Sequence, residues 1–570
     1  MLFLAKNGAD SIVIPTRLAA SLMSLLLAAL VFFAAREMFG RWEALTALGI
    51  LAFEPNLIAH GSLVTTDMAL TTTAFAAAYA LYRYLKKPGA VRFLILGLAV
   101  GLTLAAKHSG ILILPILFLT LIVDFFIFRK IENKKSLIVP IFRRATAFAG
   151  IVLIGIVLLW ASYGFRFNAL PNATGNTIPI ENFEWYGDSL AQRVVLKLNR
   201  FRILPESYNN GMANVFATSS RRMFLFNEGY PTGQWFYFPV AFAIKTSVAL
   251  LVLLIVGLLM LELYRRRGRE MLFLLVPSLL FLAVSMTSQM NIGVRHILPV
   301  YPFFIVIAAA GVCFWARKYR IVGYALIALL VFHAAVAVRT APNYLAFSND
   351  FWGGVDNTHR LLADSNVDWG QSLKLANEYL ARENITDCWF AGNDNVEINR
   401  LEQPCRLLPG TGSNWNTTER LIEPTPPVIE GTILLSTWVL PPMSGAILPR
   451  GNEYLPVIQS EPIAIIGGSI LVYRGRFEVP LVATLSHYGR ARQLIDMNRF
   501  EEAAVDGAKA VALAPDDPNM HYVLGLALVR SGRRDEASTE FETSIRLAAV
   551  NPPLFRRAEM DSRGELQRLR

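Results

Sequence analysis

Charged residues are scarce in this chain of 570 residues, of which only 17% are charged and 54% are hydrophobic. Soluble globular chains average about 25% charged residues, so this chain has too few to cover a water-facing surface. The scarcity is uneven, because residues 12–338 contain repeated apolar runs of membrane-spanning length. The sequence therefore predicts a membrane domain followed by water-soluble material.

Cysteine is also rare, and no CxxC, HExxH or clustered His/Cys pattern occurs among the 3 cysteines and 7 histidines. The sequence thus predicts no protein-held metal, and leaves open a divalent cation acting as cofactor. Cys313 lies in an apolar run and is expected to be a buried small side chain. Cys388 and Cys405 are close enough in sequence for a disulfide in an oxidising compartment, although spacing alone does not fix their distance.

The net charge of +11 does not indicate nucleic-acid binding. Much of the Lys and Arg lies in short loops between apolar runs, where basic residues set topology and meet anionic lipid. No soluble stretch combines basic and aromatic residues as a nucleic-acid groove would. Nucleic acid is therefore excluded as a partner, and membrane lipid is expected.

Ten apolar runs are interpreted as membrane spans, several of them shorter than the ~20 residues of a perpendicular helix. Short runs suggest broken or partly interfacial helices, and Glu54-Pro55 interrupts one run. The predicted spans lie near residues 12–35, 42–59, 65–82, 91–106, 109–128, 145–163, 237–263, 271–286, 297–316 and 321–338.

Basic residues are concentrated in alternate loops, which predicts the orientation of the chain. Five loops on one side are rich in Lys and Arg, around residues 36–41, 83–92, 129–144, 265–269 and 317–320. The short loops of the other side hold little beyond Lys6, Lys107 and Arg295. By the positive-inside rule the basic side is cytoplasmic, so residues 164–236 and 339–570 are expected on the extracytoplasmic, periplasmic side of the inner membrane. The chain would then begin outside, and we expect an initial helix to precede it.

Two soluble regions follow the predicted membrane domain of residues 1–338. Residues 339–480 are expected to form a mixed α/β domain, with a helix over 371–383, strands over 388–391 and 432–440, and a hairpin around Gly467-Gly468. Residues 481–570 are expected to be helical, because His487-Tyr488 and Glu502-Ala503 recur 34 residues later. That offset is the period of tetratricopeptide repeats. The repeats over 485–548 are either a structural cap or a groove for a partner protein.

Polar residues gather in the predicted outer loops, where ionisable groups near a membrane need a partner or a water-filled cavity. Arg and Lys suit a phosphate, and a carboxylate can act as a general base. Four of these residues also have a simpler interpretation. Asp67 would be a helix cap, Lys107 and Arg295 would be snorkelling cations, and His296 would be an interfacial histidine. The residues of this outer set are Glu54, Asp67, Lys107, His108, Lys245, Asn291, Arg295 and His296.

Five motifs in order resemble a known family, the bacterial protein-mannosyltransferase-like, glycosyltransferase family 39-like GT-C enzymes related to aminoarabinose transferases. The resemblance covers roughly residues 1–475 and leaves the repeat tail as an addition. Its motifs are Val64-Thr65-Thr66-Asp67-Met68, Lys107-His108-Ser109-Gly110, Trp235-Phe236-Tyr237-Phe238-Pro239 with Lys245-Thr246, Gly293-Val294-Arg295-His296-Ile297-Leu298-Pro299, and Asp364–Gln371.

The resemblance implies a glycosyltransferase that moves a sugar from a polyprenyl-phosphate donor to a protein, lipid or glycan acceptor outside the cytoplasm, with inversion. Lys107, His108, Lys245, Arg295 and His296 would then bind the donor phosphate, and Asp67 would have a supporting catalytic role. In the family an acidic motif lies in the first outer loop, and the resemblance implies that this sequence begins beyond that loop, so the expected general base would lie outside residues 1–570. The alternatives are an inactive scaffold that recruits partners through the repeats, and an oligosaccharide polymerase or ligase.

Overall fold

The structure, a computed structural model, describes residues 9–128, 138–168, 190–217, 223–230, 232–392, 405–409, 421–440 and 452–569. It divides into two compact units. The first comprises Met1–Met223 and Tyr230–Gly354, and the second comprises Phe224–Gly229 and Val355–Arg570. The predicted division at residues 338 and 480 stays a prediction.

The first unit is built from α-helices. Their bounds are α1 Ala9–Met38, α2 Arg41–Ala52, α3 Pro55–Ser62, α4 Thr66–Lys86, α5 Ala90–Ala106, α6 Ile113–Phe128, α7 Ile138–Ser162, α8 Leu190–Arg200, α9 Glu206–Ala217, α10 Tyr237–Lys245, α11 Val248–Leu259, α12 Leu261–Met286, α13 Tyr301–Lys318 and α14 Arg320–Thr340. Two 3-10 segments, His108–Leu112 and Val294–Val300, lead into α6 and α13. The strands β1 Met223–Leu225 and β2 Glu228–Tyr230 form a two-stranded sheet, most of which belongs to the second unit.

Several of these helices can cross a membrane. Among the described residues, 6 helices are long and apolar enough to span, or 7 if the bent pair α10 and α11 is one span. Helix α13 lies at the centre, since 94% of its most apolar window is buried inside the protein. The predicted multi-pass helical architecture is therefore confirmed. The count of ten stays a prediction, because α2 to α5 are shorter or more polar than these spans.

Two predicted spans are interrupted by polar breaks. Helix α2 ends at Ala52 and α3 begins at Pro55, a first-turn proline whose missing N–H needs no helical partner. The predicted span 237–263 bends by 118° between α10 and α11. Ser247 caps α11 by accepting a hydrogen bond from the Leu250 N–H at 3.2 Å.

Asn349 satisfies the backbone at the second break. Its Nδ2 donates to the carbonyl oxygens of Ala243, at 2.7 Å, and Thr246, at 2.8 Å. The Asn349 N–H donates to the Ile244 carbonyl at 3.0 Å. Because lipid offers no partners to an open helix end, this buried side chain is what makes a sharp break tolerable at membrane depth.

The second unit contains a mixed α/β region built from α15 Thr358–Leu361, α16 Leu373–Arg382, β3 Cys388–Ala391, β4 Cys405–Leu407, β5 Val428–Ser436, α17 Leu455–Ile458, β6 Ala464–Ile466 and β7 Ile470–Glu478. Its five strands form a mixed sheet in the order β4-β3-β5-β7-β6. Strand β3 pairs in parallel with β4 and β5, and β7 pairs antiparallel to β5 and β6. Cys388 and Cys405 are opposite each other in β3 and β4, and their sulfurs form a disulfide.

Side chains alternate between the two faces of this sheet. Trp389, Ile433 and Tyr473 belong to one buried cluster, while Phe390 and Leu434 belong to the other, where α16 packs. This is the period of two that strands impose. The mixed α/β domain expected from the sequence is confirmed, with the hairpin closing at Ile466 and Ile470. The strand expected over 432–440 ends earlier, at Ser436, and continues as a 3-10 turn.

Five helices follow the sheet: α18 Pro480–Asp496, α19 Phe500–Leu513, α20 Pro518–Arg530, α21 Arg534–Ala548 and α22 Pro552–Leu569. The 34-residue offset extends to side-chain contacts, because His487 bonds Asp506 at 2.7 Å and His521 bonds Glu540 at 2.6 Å. These helices thus repeat in structure as well as in sequence. Their assignment as tetratricopeptide repeats stays a prediction.

The segment 421–427 lies along α18. The Ile422 N–H donates to Gln493 Oε1 at 2.8 Å, and Arg490 Nη1 donates to the Ile422 carbonyl at 2.7 Å. The Thr425 N–H donates to Ser486 Oγ at 2.9 Å. Side chains seven residues apart on one helix face thus bind the backbone of a proline-rich stretch and join the helices to the sheet.

Candidate functional site

Asp67, Lys107 and Arg295, which are far apart in sequence, meet in the first unit. Lys107 Nζ lies 2.6 Å from Asp67 Oδ1, a hydrogen-bonded ion pair. Arg295 Nη1 lies 3.9 Å from the other carboxylate oxygen, Oδ2. One carboxylate therefore faces two cations. We call these three residues the Asp67 cluster.

Local backbone geometry delivers each member of the cluster. Asp67 lies in the first turn of α4, where the helix dipole favours a carboxylate. Lys107 is the residue at which α5 ends and the 3-10 segment begins. Gly110 permits that tight junction, because a Cβ there would lie 2.0 Å from the Thr103 carbonyl oxygen. Arg295 lies in the 3-10 segment that precedes α13.

Exposure shows how the cluster is layered. The Asp67 side chain is 2% exposed, whereas the side chains of Lys107 and Arg295 are 25% and 18% exposed. The carboxylate thus lies beneath the cations and holds them, while the cations reach the accessible surface. The interpretation of Asp67 as a plain helix cap does not describe these contacts, since Thr65 is the N-cap residue.

His60, on α3, was missed by the sequence reasoning. Its side chain is 1% exposed, and neither ring nitrogen has a hydrogen-bond partner among the residues that the structure describes. The charges of Asp67, Lys107 and Arg295 all act on its imidazole. The sequence offered one signal, a histidine in an apolar stretch shortly before Asp67.

The two predicted histidines lie near the same cluster. The ring centroids of His108 and Tyr208 lie 5.0 Å apart, with the rings tilted by 36°. His296 interacts electrostatically with Lys107 and Arg295. Nε2 of each histidine is buried and has no partner within the described ranges. Buried polar atoms are nearly always hydrogen-bonded, so these orphaned nitrogens need an explanation.

Lys245, predicted to bind phosphate, is 1% exposed at the end of α10. Its Nζ donates to the Leu345 carbonyl at 2.6 Å, and it interacts electrostatically with the buried Glu54. Asn56 binds Glu54 Oε1 at 3.0 Å and also donates to the Lys245 carbonyl. The structure thus buries Lys245 and Glu54 in the packing of the broken helices.

The Asp364–Gln371 motif is a buried loop of the second unit. Asp364 has a positive φ of 58°, and Asp368 is 3% exposed. Asp368 accepts hydrogen bonds from the Gly370 N–H at 2.8 Å and from the Ser436 hydroxyl. Burial raises the pKa of Asp368 to about 6, against the opposing effect of these hydrogen bonds. The motif thus anchors the end of β5.

No group of three or more His, Cys, Asp or Glu side chains able to hold a metal occurs among the described residues. The apolar helices and the mixed sheet describe a multi-pass helical membrane protein that also carries a mixed α/β domain. Residues 4–160 match the family model described as dolichyl-phosphate-mannose-protein mannosyltransferase. This match confirms the family resemblance seen in the motifs, over the segment that carries His60, Asp67 and Lys107.

Solved structures give further likenesses. ArnT from Cupriavidus metallidurans aligns in the apo state over 80% of this chain and 82% of its own, at 15% identity and a TM-score of 0.39. The same protein bound to undecaprenyl phosphate aligns over 80% and 83%, at 14% identity and a TM-score of 0.39. The Archaeoglobus fulgidus oligosaccharyltransferase in the apo form aligns over 65% and 47%, at 14% identity and a TM-score of 0.35. No curated protein sequence matches the chain.

Proposed function

We propose that this protein is an inverting membrane glycosyltransferase that uses a polyprenyl-phosphate sugar and acts at the extracytoplasmic face of the inner membrane. The single observation that carries the proposal is the Asp67 cluster, two accessible cations held by a buried carboxylate. The family model that matches residues 4–160 is named for a lipid-phosphate sugar donor. The positive-inside rule, applied to the five basic loops, supports an outer position for the cluster.

The cations suit the leaving group of such a reaction. An acceptor hydroxyl attacks the anomeric carbon and gives up its proton to water, the bond from that carbon to the phosphate oxygen breaks, and the polyprenyl phosphate leaves as an anion. Lys107 and Arg295 would stabilise the charge that develops on that oxygen. A single displacement of this kind inverts the anomeric centre.

Asp67 is a positioning residue in this scheme. The hydroxyl of the acceptor must lose its proton to a base, but a carboxylate bound by a lysine and faced by an arginine is a poor one, because both cations stabilise its ionised form. Its contacts instead fix the two cations before substrate arrives. Preorganised charges of this kind need no rearrangement during the reaction.

The alternatives lack a comparable observation. A scaffold has no need for a buried carboxylate that orients two accessible cations. A partner protein could still bind the C-terminal helices, although one face of α18 already holds the segment 421–427 of the same chain. We therefore propose that these helices serve first as a structural cap, with partner recruitment as the second possibility.

The test is sugar transfer from polyprenyl-phosphate donors by the full chain in lipid. Lys107→Ala and Arg295→Ala should each lower kcat/KM at least about a hundredfold, as loss of a transition-state contact does. Arg317→Ala is the matched control, because Arg317 pairs at 2.6 Å with Glu43, another carboxylate that is 2% exposed. Transfer that survives in both cluster variants, or that fails equally in the control, would contradict the proposal.

A further inference from the structure

The most unusual side chain near the Asp67 cluster is the imidazole of His60. Two buried histidines of the first unit make a direct comparison possible, because His60 and His333 are each 1% exposed. His333 Nδ1 is bonded to Ser247 Oγ at 2.8 Å, and its Nε2 is bonded to the Ile50 carbonyl at 2.9 Å. Within the part of the chain that the structure describes, neither nitrogen of His60 has such a partner.

An unsatisfied buried imidazole is costly. Leaving a buried donor or acceptor unpaired costs about 1–3 kcal/mol, and a neutral imidazole carries one of each. A leucine of similar size would avoid that cost. A residue that is costly in the free protein and interacts electrostatically with two accessible cations is suited to contact something that those cations bind.

The surroundings of His60 come from separate elements. Helix α3 carries His60, α4 carries Asp67, the end of α5 carries Lys107 and the 3-10 segment before α13 carries Arg295. All three charged groups act on the His60 ring, as does the buried Lys245, and His60 in turn acts on His296. The imidazole is therefore within electrostatic reach of any anion held by Lys107 and Arg295.

We propose that His60 is a further ligand-binding residue of this site, whose ring N–H donates a hydrogen bond to a phosphate oxygen of the lipid-linked donor. The inference rests on the proposed function, since it takes the ligand to be a lipid phosphate at Lys107 and Arg295. The His60 side chain is 1% exposed, whereas Lys107 and Arg295 are partly exposed. The donating ring nitrogen gains its partner when the ligand is bound.

The experiment measures two quantities on the full chain in detergent: the Kd for undecaprenyl phosphate, and the ligand-free Tm. His60→Leu should weaken the Kd at least about tenfold, since a hydrogen bond to a charged group contributes about 1.5–3 kcal/mol. Its ligand-free Tm should be unchanged or higher, because no protein hydrogen bond is lost. His60→Gln, which keeps a side-chain N–H, should recover part of the affinity.

His333→Leu is the matched control with the opposite expected pattern. It removes two hydrogen bonds inside the protein, so the Tm should fall while the Kd of the folded fraction stays within about twofold of wild type. A purely structural role for His60 would give this same pattern. His60→Leu with wild-type affinity, or with a Tm loss like that of His333→Leu, would overturn the inference.

Lys107→Ala separates the failure of this inference from the failure of the proposed function. If wild type binds the lipid phosphate and Lys107→Ala does not, the phosphate site stands, and the His60 variants decide the role of His60 alone. If wild type does not bind, or Lys107→Ala binds equally well, the phosphate site itself falls and the inference falls with it.

Discussion

Replacing Asp67 by Asn tests whether the carboxylate positions the cations or acts as a base. The carboxylate lies 2.6 Å from Lys107 Nζ, so a phosphate oxygen bound to the far side of that ammonium would be about 5 Å from it. Two negative charges at that distance repel by about 3 kcal/mol at an effective dielectric constant of about 20, and by about 0.8 kcal/mol in bulk water. Because Lys107 and Arg295 are 25% and 18% exposed, the lower end applies.

Asp67→Asn should therefore tighten the binding of undecaprenyl phosphate by about fivefold, the equivalent of about 1 kcal/mol. Turnover should nevertheless fall, by about a hundredfold, since the cations lose the group that holds them in place. The two measurements are a lipid-phosphate Kd in detergent and kcat for sugar transfer.

Two results would refute this reasoning. Weaker binding of undecaprenyl phosphate by Asp67→Asn would show that positioning outweighs repulsion already in the ground state. If Asp67→Asn both lowers kcat and abolishes the acidic limb of the pH–rate profile, Asp67 is the general base. Arg317→Ala again serves as the control for breaking a buried pair elsewhere.

Three further predictions concern the second unit. The pKa of Asp368 is raised to about 6 in the folded protein, against about 3.9 unfolded. Its contribution to the free energy of unfolding should therefore be fully present below about pH 4 and fall by up to about 3 kcal/mol as pH rises through 6. Melting curves recorded across this pH range check this, and the melting temperature of Asp368→Asn should lack this dependence on pH. Double replacement of Cys388 and Cys405 by Ser opens a loop with a sequence separation of 17 and should cost about 3 kcal/mol, seen as a lower melting temperature that reductant reproduces in wild type. Gln493→Ala removes the partner of the Ile422 N–H, so hydrogen exchange at residues 421–427 should quicken while exchange in β5 stays unchanged. Equal exchange of this segment in wild type and variant would contradict the role of α18 in binding it.

The sequence predicted those features that depend on composition and local pattern. Long apolar runs predicted the helical membrane domain, a short apolar run predicted the strand at Cys388–Ala391, and Gly467-Gly468 predicted the hairpin. The chain was also expected to bring Lys107 and Arg295 to one surface, and the structure places both at Asp67. Period and charge distribution are local quantities, so a single sequence carries them.

Other features depend on neighbours that are distant along the chain. The break between α10 and α11 occurs in a run that reads as one apolar span, because Asn349 supplies hydrogen bonds from a hundred residues away. Lys245 was predicted to bind the donor phosphate, and the structure shows it buried with its Nζ donating to the Leu345 carbonyl. The sequence could not predict which of the cations are exposed to solvent, since exposure depends on how the helices pack.

The sequence by itself thus determined that this is a multi-pass helical membrane protein with polar residues collected in a few loops and a mixed domain after them. The tertiary structure alone decided which of those residues meet. It pairs the buried Asp67 with Lys107 and Arg295, and it buries Lys245 at a helix break. It also buries His60, neither ring nitrogen of which has a hydrogen-bond partner among the described residues. Hydrophobic periodicity fixes where helices form, whereas the pairing of buried charges depends on side chains that only packing brings within hydrogen-bonding distance.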